Sequence, residues 1–499
     1  MNRLVVVSNR VPVPQGGAAP GGLAVALGGL MERRGGFWFG WSGGISDTEG
    51  ELGIVRSGEV QYATVDLTRA EHEQYYNGFS NGVLWPLLHS MPELMKYDRR
   101  DAQAYREVNQ RLVSVLVPQL HPSDVIWVHD YHLMAMPALL RAQGVVAPIG
   151  FFLHVPFPSA DVFGAMPEAS LLLRDLLAAD LLGFHTDNDV ENFALAAQRL
   201  AGATRISGQW LGLAGRRIRI GTFPVEIEAR EFKRMAEQAV GSTPVQKLRD
   251  SLDGQRLVLG VDRLDPTKGL PQRIAGYRRL LEKRAEWRHR VTLLQIAPMS
   301  RKEVGAYQDL REELDRAAGA INGDWGEPDW LPLRLVVRPG ARSTVAGYMR
   351  LAAIGLVTPL RDGMNLVAKE YIAAQDPQDP GVLVLSRFAG AAQQLPAALL
   401  VNPYAADELA DALDRGLRMS LAERQERWQE CWRAIERRTP LEWGRSFLDA
   451  LLRAASAQAT PSVRLGNAIV SSRAPQDATI AGQERAREPR RPADKRTLS

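Results

Sequence analysis

The chain has 499 residues, 45% hydrophobic and 24% charged, an ordinary composition for a folded protein but too long for one hydrophobic core. No run approaches the ~18 consecutive apolar residues of a membrane span. The single cysteine, Cys431, excludes an intramolecular disulfide and suits a reducing compartment, so cytoplasm is the expected location. The net charge of +4 is matched by Ser456–Ser499 alone, where eight Lys/Arg stand against four Asp/Glu. The basicity therefore belongs to a tail poor in aromatics, expected to be disordered, and no nucleic-acid partner is expected.

In chain order, short apolar runs alternate with longer amphipathic ones, the pattern of α/β folds with parallel sheets. Leu4–Ser8 is too short for the core of a signal peptide and reads as a buried first strand. Val125–His129, Ile149–His154, Leu181–His185 and Ile218–Phe223 follow as strands. A second series comprises Leu257–Asp262, Val291–Ala297, Leu333–Arg338, Ile354–Thr358, Val382–Ser386 and Leu399–Asn402. Helices are predicted between them, among them Gln103–Leu116, Pro271–Glu286, Arg301–Ala318 and Ala406–Met419. The expectation is two doubly wound Rossmann-like domains, residues 1–227 and 228–435. A C-terminal helix at about 436–455 rejoins the first, and the tail is 456–499. Two facing domains of this kind bind ligands in the crevice beyond the carboxyl ends of their strands.

Three strand ends carry unusual chemistry. Ser8-Asn9-Arg10 closes the first strand, and Gly21-Gly22 then opens a helix, where backbone N–H groups can approach a phosphate. Asp262-Arg263 and Lys268-Gly269 flank a turn in which two cations can converge on one anion. Gly355–Glu370 delivers Asp362-Gly363 from a buried strand into a helix predicted to start at Met364 or Asn365. Its free N–H groups can hold sugar hydroxyls or phosphate oxygens, and Glu370, about two turns along, can grip a ribose diol as a Rossmann carboxylate does. His129-Asp130-Tyr131-His132 and His154 invite a metal, but no His-Glu-x-x-His or paired-cysteine spacing accompanies them. Asp187-Asn188-Asp189 follows Thr186 at a helix start and reads as capping. No metal site is expected.

Together these segments, with Trp38-Phe39-Gly40-Trp41-Ser42-Gly43, Tyr75-Tyr76-Asn77, Val83-Leu84-Trp85-Pro86, Gly150-Phe151-Phe152-Leu153-His154 and Gln295-Ile296-Ala297-Pro298, resemble the trehalose-6-phosphate synthases. These are retaining glycosyltransferases of the GT-B arrangement, and the resemblance runs from Arg3 to about Leu452. It implies transfer of glucose from UDP-glucose to glucose 6-phosphate, giving trehalose 6-phosphate and UDP without metal or other cofactor. The acceptor hydroxyl is implied to attack from the face that the diphosphate leaves, a phosphate oxygen taking its proton.

The resemblance also implies roles. Arg263 and Lys268 hold the donor pyrophosphate, with Gly22 close by. Glu370 takes the ribose, and Asp362 with Gly363, Met364, Asn365, Leu366 and Val367 takes the rest of the donor. His154 lies against the donor sugar and Asp130 near the acceptor hydroxyls, both counted with Arg263 and Lys268 as catalytic. Arg10, Tyr76, Trp85 and Arg301 surround the acceptor phosphate, and Trp41 lines the pocket.

The chain departs from the family at Glu226, where glycine is usual, at Pro266, where tyrosine is common, at His185, which replaces a glutamine, and at Arg338–Arg342. The last leaves GDP or ADP open beside the favoured UDP. Other readings weighed are a glucosylglycerol-phosphate synthase using ADP-glucose and glycerol 3-phosphate, and a non-catalytic sugar-phosphate sensor. Oligomeric state, a homo-oligomer included, is left open.

Overall fold

The apolar runs that alternate with amphipathic stretches form strands buried between helices, as near-continuous hydrophobic segments do in parallel sheets. The computed structural model describes residues 2–14, 22–299 and 305–459. The expected Arg301 and the tail from residue 460 onward lie outside the described residues.

The first half contains β1 (Leu4–Arg10), β2 (Gly36–Ser46), β3 (Gly53–Ser57), β4 (Val60–Thr68), β5 (Val125–His129), β6 (Ile149–Phe152), β7 (Leu181–Phe184), β8 (Thr204–Ser207), β9 (Trp210–Leu213) and β10 (Arg216–Thr222). They form one sheet in the order β3-β4-β2-β1-β5-β6-β7-β10-β9-β8. From β4 to β10 the pairings are parallel, and antiparallel pairing is confined to β3 and to β9 and β8 at the edges. The second half contains β11 (Arg256–Val261), β12 (Val291–Ile296), β13 (Leu333–Val336), β14 (Ile354–Val357), β15 (Val382–Ser386) and β16 (Leu399–Val401). Their order, β13-β12-β11-β14-β15-β16, is parallel throughout and is the doubly wound order of a dinucleotide-binding sheet.

The eleven strands read from apolar runs are present, most of them ending a residue or two earlier than expected. β2, β3, β4, β8 and β9 were not anticipated. β2 reads Gly-Phe-Trp-Phe-Gly-Trp-Ser-Gly-Gly-Ile-Ser, and its four glycines disguise a strand. The helix expected at Met364 or Asn365 begins at Leu366 instead, because Asn365 has φ 74° and its side chain caps the amide of Ala368. Glu370 is therefore the fifth residue of the helix, little more than one turn along rather than two.

After the second sheet the chain returns as the helix Pro440–Ala459 to pack on the first. Phe447 stacks on Trp127 at 4.5 Å, and Trp443 Nε1 donates to the Phe223 carbonyl at 3.1 Å. Gly150 makes room for this: a Cβ there would lie 2.7 Å from the Phe447 ring. No helix among the described residues is long and apolar enough to cross a membrane.

Candidate functional site

Each sheet has one place where successive connections run to opposite sides: between β1 and β5 in the first, and between β11 and β14 in the second. Ligands bind at such switch points, beyond the strand carboxyl ends. A cleft of about 570 Å³ lies there, walled on one side by Asn9 near the end of β1 and by residues that follow β5, β6 and β7, and on the other by residues that follow β11 and β14. Of the expected site residues, Tyr76, Trp85, Asp130, His154, Arg263, Lys268, Asp362, Met364, Asn365, Leu366, Val367 and Glu370 line it.

On the second-sheet side, Lys268 pairs with the Asp362 carboxylate, which also accepts a hydrogen bond from Asn365 Nδ2 at 3.0 Å. Burial, the largest single influence, would raise the Asp362 pKa, but the Lys268 ammonium together with His89 and the Asn365 hydrogen bond holds the carboxyl below its usual range. Asp265 caps the single turn Pro266–Lys268, and Pro266 at its first position is compatible with a helix start. Arg263 is about half exposed, its guanidinium 5.8 Å from the Trp85 ring centroid. Its long 4.0 Å contact with Asp265 and its exposure leave the guanidinium able to turn to an anion. Glu370 accepts from Arg342 at 3.0 Å. Burial raises its pKa, with Arg342 opposing.

The opposite wall is aromatic and imidazole-rich. Asp130, at φ 75° and ψ 168°, holds a conformation that L-residues rarely adopt and that collects at functional sites. Its Oδ1 accepts from the backbone N–H of His154 at 3.2 Å, so the strained residue fixes the start of the His154 loop. His154 meets His129 at 3.0 Å, Nε2 to Nδ1, and its carbonyl accepts from His185 Nε2 at 3.1 Å. Burial holds the pKa of His129 and of His185 down to about 3, and that of His154 well below its usual value. All three are neutral at pH 7.

Several expected residues stand back from the cleft. Trp41 is buried behind Tyr76, ring centroids 5.3 Å apart, and Tyr76 in turn stacks on His132 at 5.7 Å. Arg10 lies over Trp41 at 6.0 Å. Neither Trp41 nor Arg10 is part of the cleft lining. Gly363 presents backbone only, and a Cβ there would meet the His154 carbonyl oxygen at 2.5 Å, so the two walls touch at a position that excludes any side chain. Gly22 is the first residue of the helix Gly22–Arg34. The two walls are further tied by Trp85 Nε1, which donates to Asp265 Oδ1 at 3.3 Å.

Sequence reasoning missed several lining residues. His89 stands 4.3 Å from the Trp85 ring and donates from Nδ1 to the Trp85 carbonyl at 2.7 Å. Burial lowers its pKa to about 4. Its signal, an i, i+4 spacing from Trp85, is weak without a known helix. Arg342 belongs to Arg338–Arg342, where the chain departs from the family, yet it is the partner of Glu370. Asp189 accepts from Thr186 Oγ1 and from the amide of Phe157, the helix-start role expected of it. Among the described residues no three His, Cys, Asp or Glu side chains are grouped to hold a metal ion.

Residues 4–453 match the model of glycosyltransferase family 20. A trehalose-6-phosphate synthase of Sinorhizobium fredii is 47% identical over 456 residues, covering 90% of this chain and 98% of that protein. A crystal structure of an α,α-trehalose-phosphate synthase (UDP-forming) from Burkholderia xenovorans in complex with glucose-6-phosphate is 44% identical, with a TM-score of 0.88 over 90% of this chain and all of that one. A structure from E. coli bound with UDP-2-fluoro glucose is also 44% identical, with a TM-score of 0.86 over 90% and 99% of the two chains. With its GT-B fold of two doubly wound sheets meeting at one cleft, this chain belongs to glycosyltransferase family 20.

Proposed function

We propose that the protein is a UDP-forming α,α-trehalose-phosphate synthase, transferring glucose from UDP-glucose to glucose 6-phosphate with retention. The observation that carries this reading is the juxtaposition of Arg263 and Lys268 with the Asp362–Asn365 turn at the second sheet's switch point, opposite Tyr76, Trp85 and Asp130. Relatives of 44% identity, bound respectively to glucose-6-phosphate and to UDP-2-fluoro glucose, support the same pair of substrates.

Residues 228–435 take the donor; residues 1–227 with the returning helix Pro440–Ala459 take the acceptor. Lys268 leaves Asp362 for the donor diphosphate, and Arg263 closes on it from the mouth. Preorganised cations aimed at developing charge stabilise the leaving group, so no divalent ion is required. The helix opening at Leu366 adds its positive end, while Glu370 exchanges Arg342 for the ribose. The bond between the anomeric carbon and the diphosphate breaks, the acceptor's anomeric hydroxyl attacks on the same face, and its proton passes to a phosphate oxygen of the departing UDP. Arg10, Tyr76, Trp85 and Arg301 hold the acceptor phosphate.

A panel of UDP-, ADP- and GDP-glucose against glucose 6-phosphate, glucose and glycerol 3-phosphate, read by product mass, tests the reading. The highest kcat/KM is expected for UDP-glucose with glucose 6-phosphate. Preference for ADP-glucose with glycerol 3-phosphate would overturn it.

A further inference from the structure

We propose that His129 is a positioning residue that fixes the tautomer of His154, so that His154 offers an N–H donor from Nδ1 to the occupant of the cleft. The inference rests on the reading of His154 as a donor-site residue. His129 is the last residue of β5 and His154 follows β6, its neighbour in the sheet. Their facing nitrogens, His129 Nδ1 and His154 Nε2, are 3.0 Å apart, and both imidazoles are neutral at pH 7. One proton is therefore shared between two nitrogens, and two arrangements are possible.

If His154 donates from Nε2, His129 accepts at Nδ1 and must carry its own proton on Nε2. That atom is buried without a hydrogen-bond partner, and leaving a buried donor unpaired costs its full desolvation. If His129 donates from Nδ1, its Nε2 keeps only an unpaired lone pair. His154 then accepts at Nε2 and carries its proton on Nδ1, the nitrogen left for the cleft that the residue lines.

Two neighbours favour the second arrangement. His185 donates from Nε2 to the His154 carbonyl, an obligate acceptor, so its buried, unpartnered Nδ1 is a lone pair. This cluster already accommodates one unpaired imidazole lone pair. Trp127, its ring centroid 4.5 Å from that of His129, has a buried and unpartnered Nε1 that can only donate. A proton on His129 Nε2 would leave a second buried N–H in this cluster unpaired.

The asymmetry of the imidazole makes the proposal testable by shape. Asparagine places its NH₂ near the position of histidine Nδ1, whereas glutamine places it near Nε2. His129→Asn is expected to keep kcat within about threefold of wild type. His129→Gln and His129→Leu should each lose about tenfold or more in kcat with little change in KM, the tenfold corresponding to about 1.4 kcal/mol in the barrier. Equal losses for the asparagine and glutamine variants, or a fully active leucine variant, would overturn the proposal. Nitrogen-15 spectra of the wild-type protein labelled at histidine, with His154 assigned from a His154→Ala spectrum, read the tautomer without any folding question. A protonated Nδ1 and bare Nε2 are expected for His154, and a protonated Nε2 would overturn the assignment. Unimpaired activity in His154→Ala would instead sink the donor-site reading while leaving the tautomer to the spectra.

Discussion

Glu226 Oε2 lies 2.6 Å from Lys369 Nζ, and the two side chains are 2% and 0% exposed. Lys369 also donates to the Val225 carbonyl at 2.7 Å, and Gln394 Nε2 to Glu226 Oε1 at 2.9 Å. The pair thus ties the segment that leaves the first sheet to the helix carrying Glu370, beside the cleft. Breaking a buried pair by removing one partner strands the other charge and costs roughly 3–5 kcal/mol. Lys369→Met is therefore expected to lose stability of that order in denaturant unfolding, and adding Glu226→Leu should recover much of it. A Lys369→Met variant as stable as wild type would mean that the pair contributes no net stability.

Lys268→Ala should lower kcat by about 100-fold or more, since removing one preorganised donor costs about 2.7–4 kcal/mol in the transition state. Some stability should be lost with it, because the largely buried Asp362 carboxylate keeps Asn365 but loses its cation. Steady-state kinetics with a thermal melt distinguish this from a damaged fold. A folded variant of near-normal kcat would remove Lys268 from the leaving-group site.

Acid should weaken the fold through its buried histidines. His129 and His185 titrate at about 3 and His89 at about 4 in the folded chain, all lowered first by burial, against ~6.5 unfolded. Below pH ~6.5 the unfolded chain takes up protons that the folded chain refuses. Stability is therefore full above that pH and falls as pH drops toward 4 and 3, by about 1.4 kcal/mol per unit for each histidine. His185→Gln keeps a donor for the His154 carbonyl and removes one of these groups. Its loss of stability between pH 7 and pH 5 should be about 2 kcal/mol smaller than that of wild type. Identical pH slopes in urea titrations would count against a neutral buried His185.

Arg10→Ala should cost about 10- to 100-fold in kcat/KM for glucose 6-phosphate while barely moving the slow rate with free glucose. A charge-assisted hydrogen bond contributes roughly 1.5–3 kcal/mol, and the side chain lies exposed at the end of β1 over Trp41. Equal losses with both acceptors would assign Arg10 to the donor or to the fold.

Much of this was legible in the residues. Val5-Val6-Val7 and Val258-Leu259 are apolar runs that read as buried strands, and a doubly wound order then places Asp130, Arg263 and Asp362 at one cleft. What escaped depends on distant parts of the chain meeting. Nothing local marks Arg342 as the partner of Glu370, 28 residues away, or Lys369 as the partner of Glu226, 143 residues away. The inward face of Tyr76 against Trp41 could not be read either, because Tyr76 lies in a π-helical stretch, His72–Leu84, whose period shifts every side chain from its α-helical direction. Four glycines hid β2.

Incubation of UDP-glucose and glucose 6-phosphate with the purified enzyme in excess EDTA, followed by proton NMR of the anomeric region, tests metal-free retaining transfer. UDP and a single phosphorylated disaccharide, joined through two anomeric carbons that are both α, are expected to form at an undiminished rate. A β linkage, a product joined at any other hydroxyl, or no transfer until Mg²⁺ or Mn²⁺ is restored would contradict it.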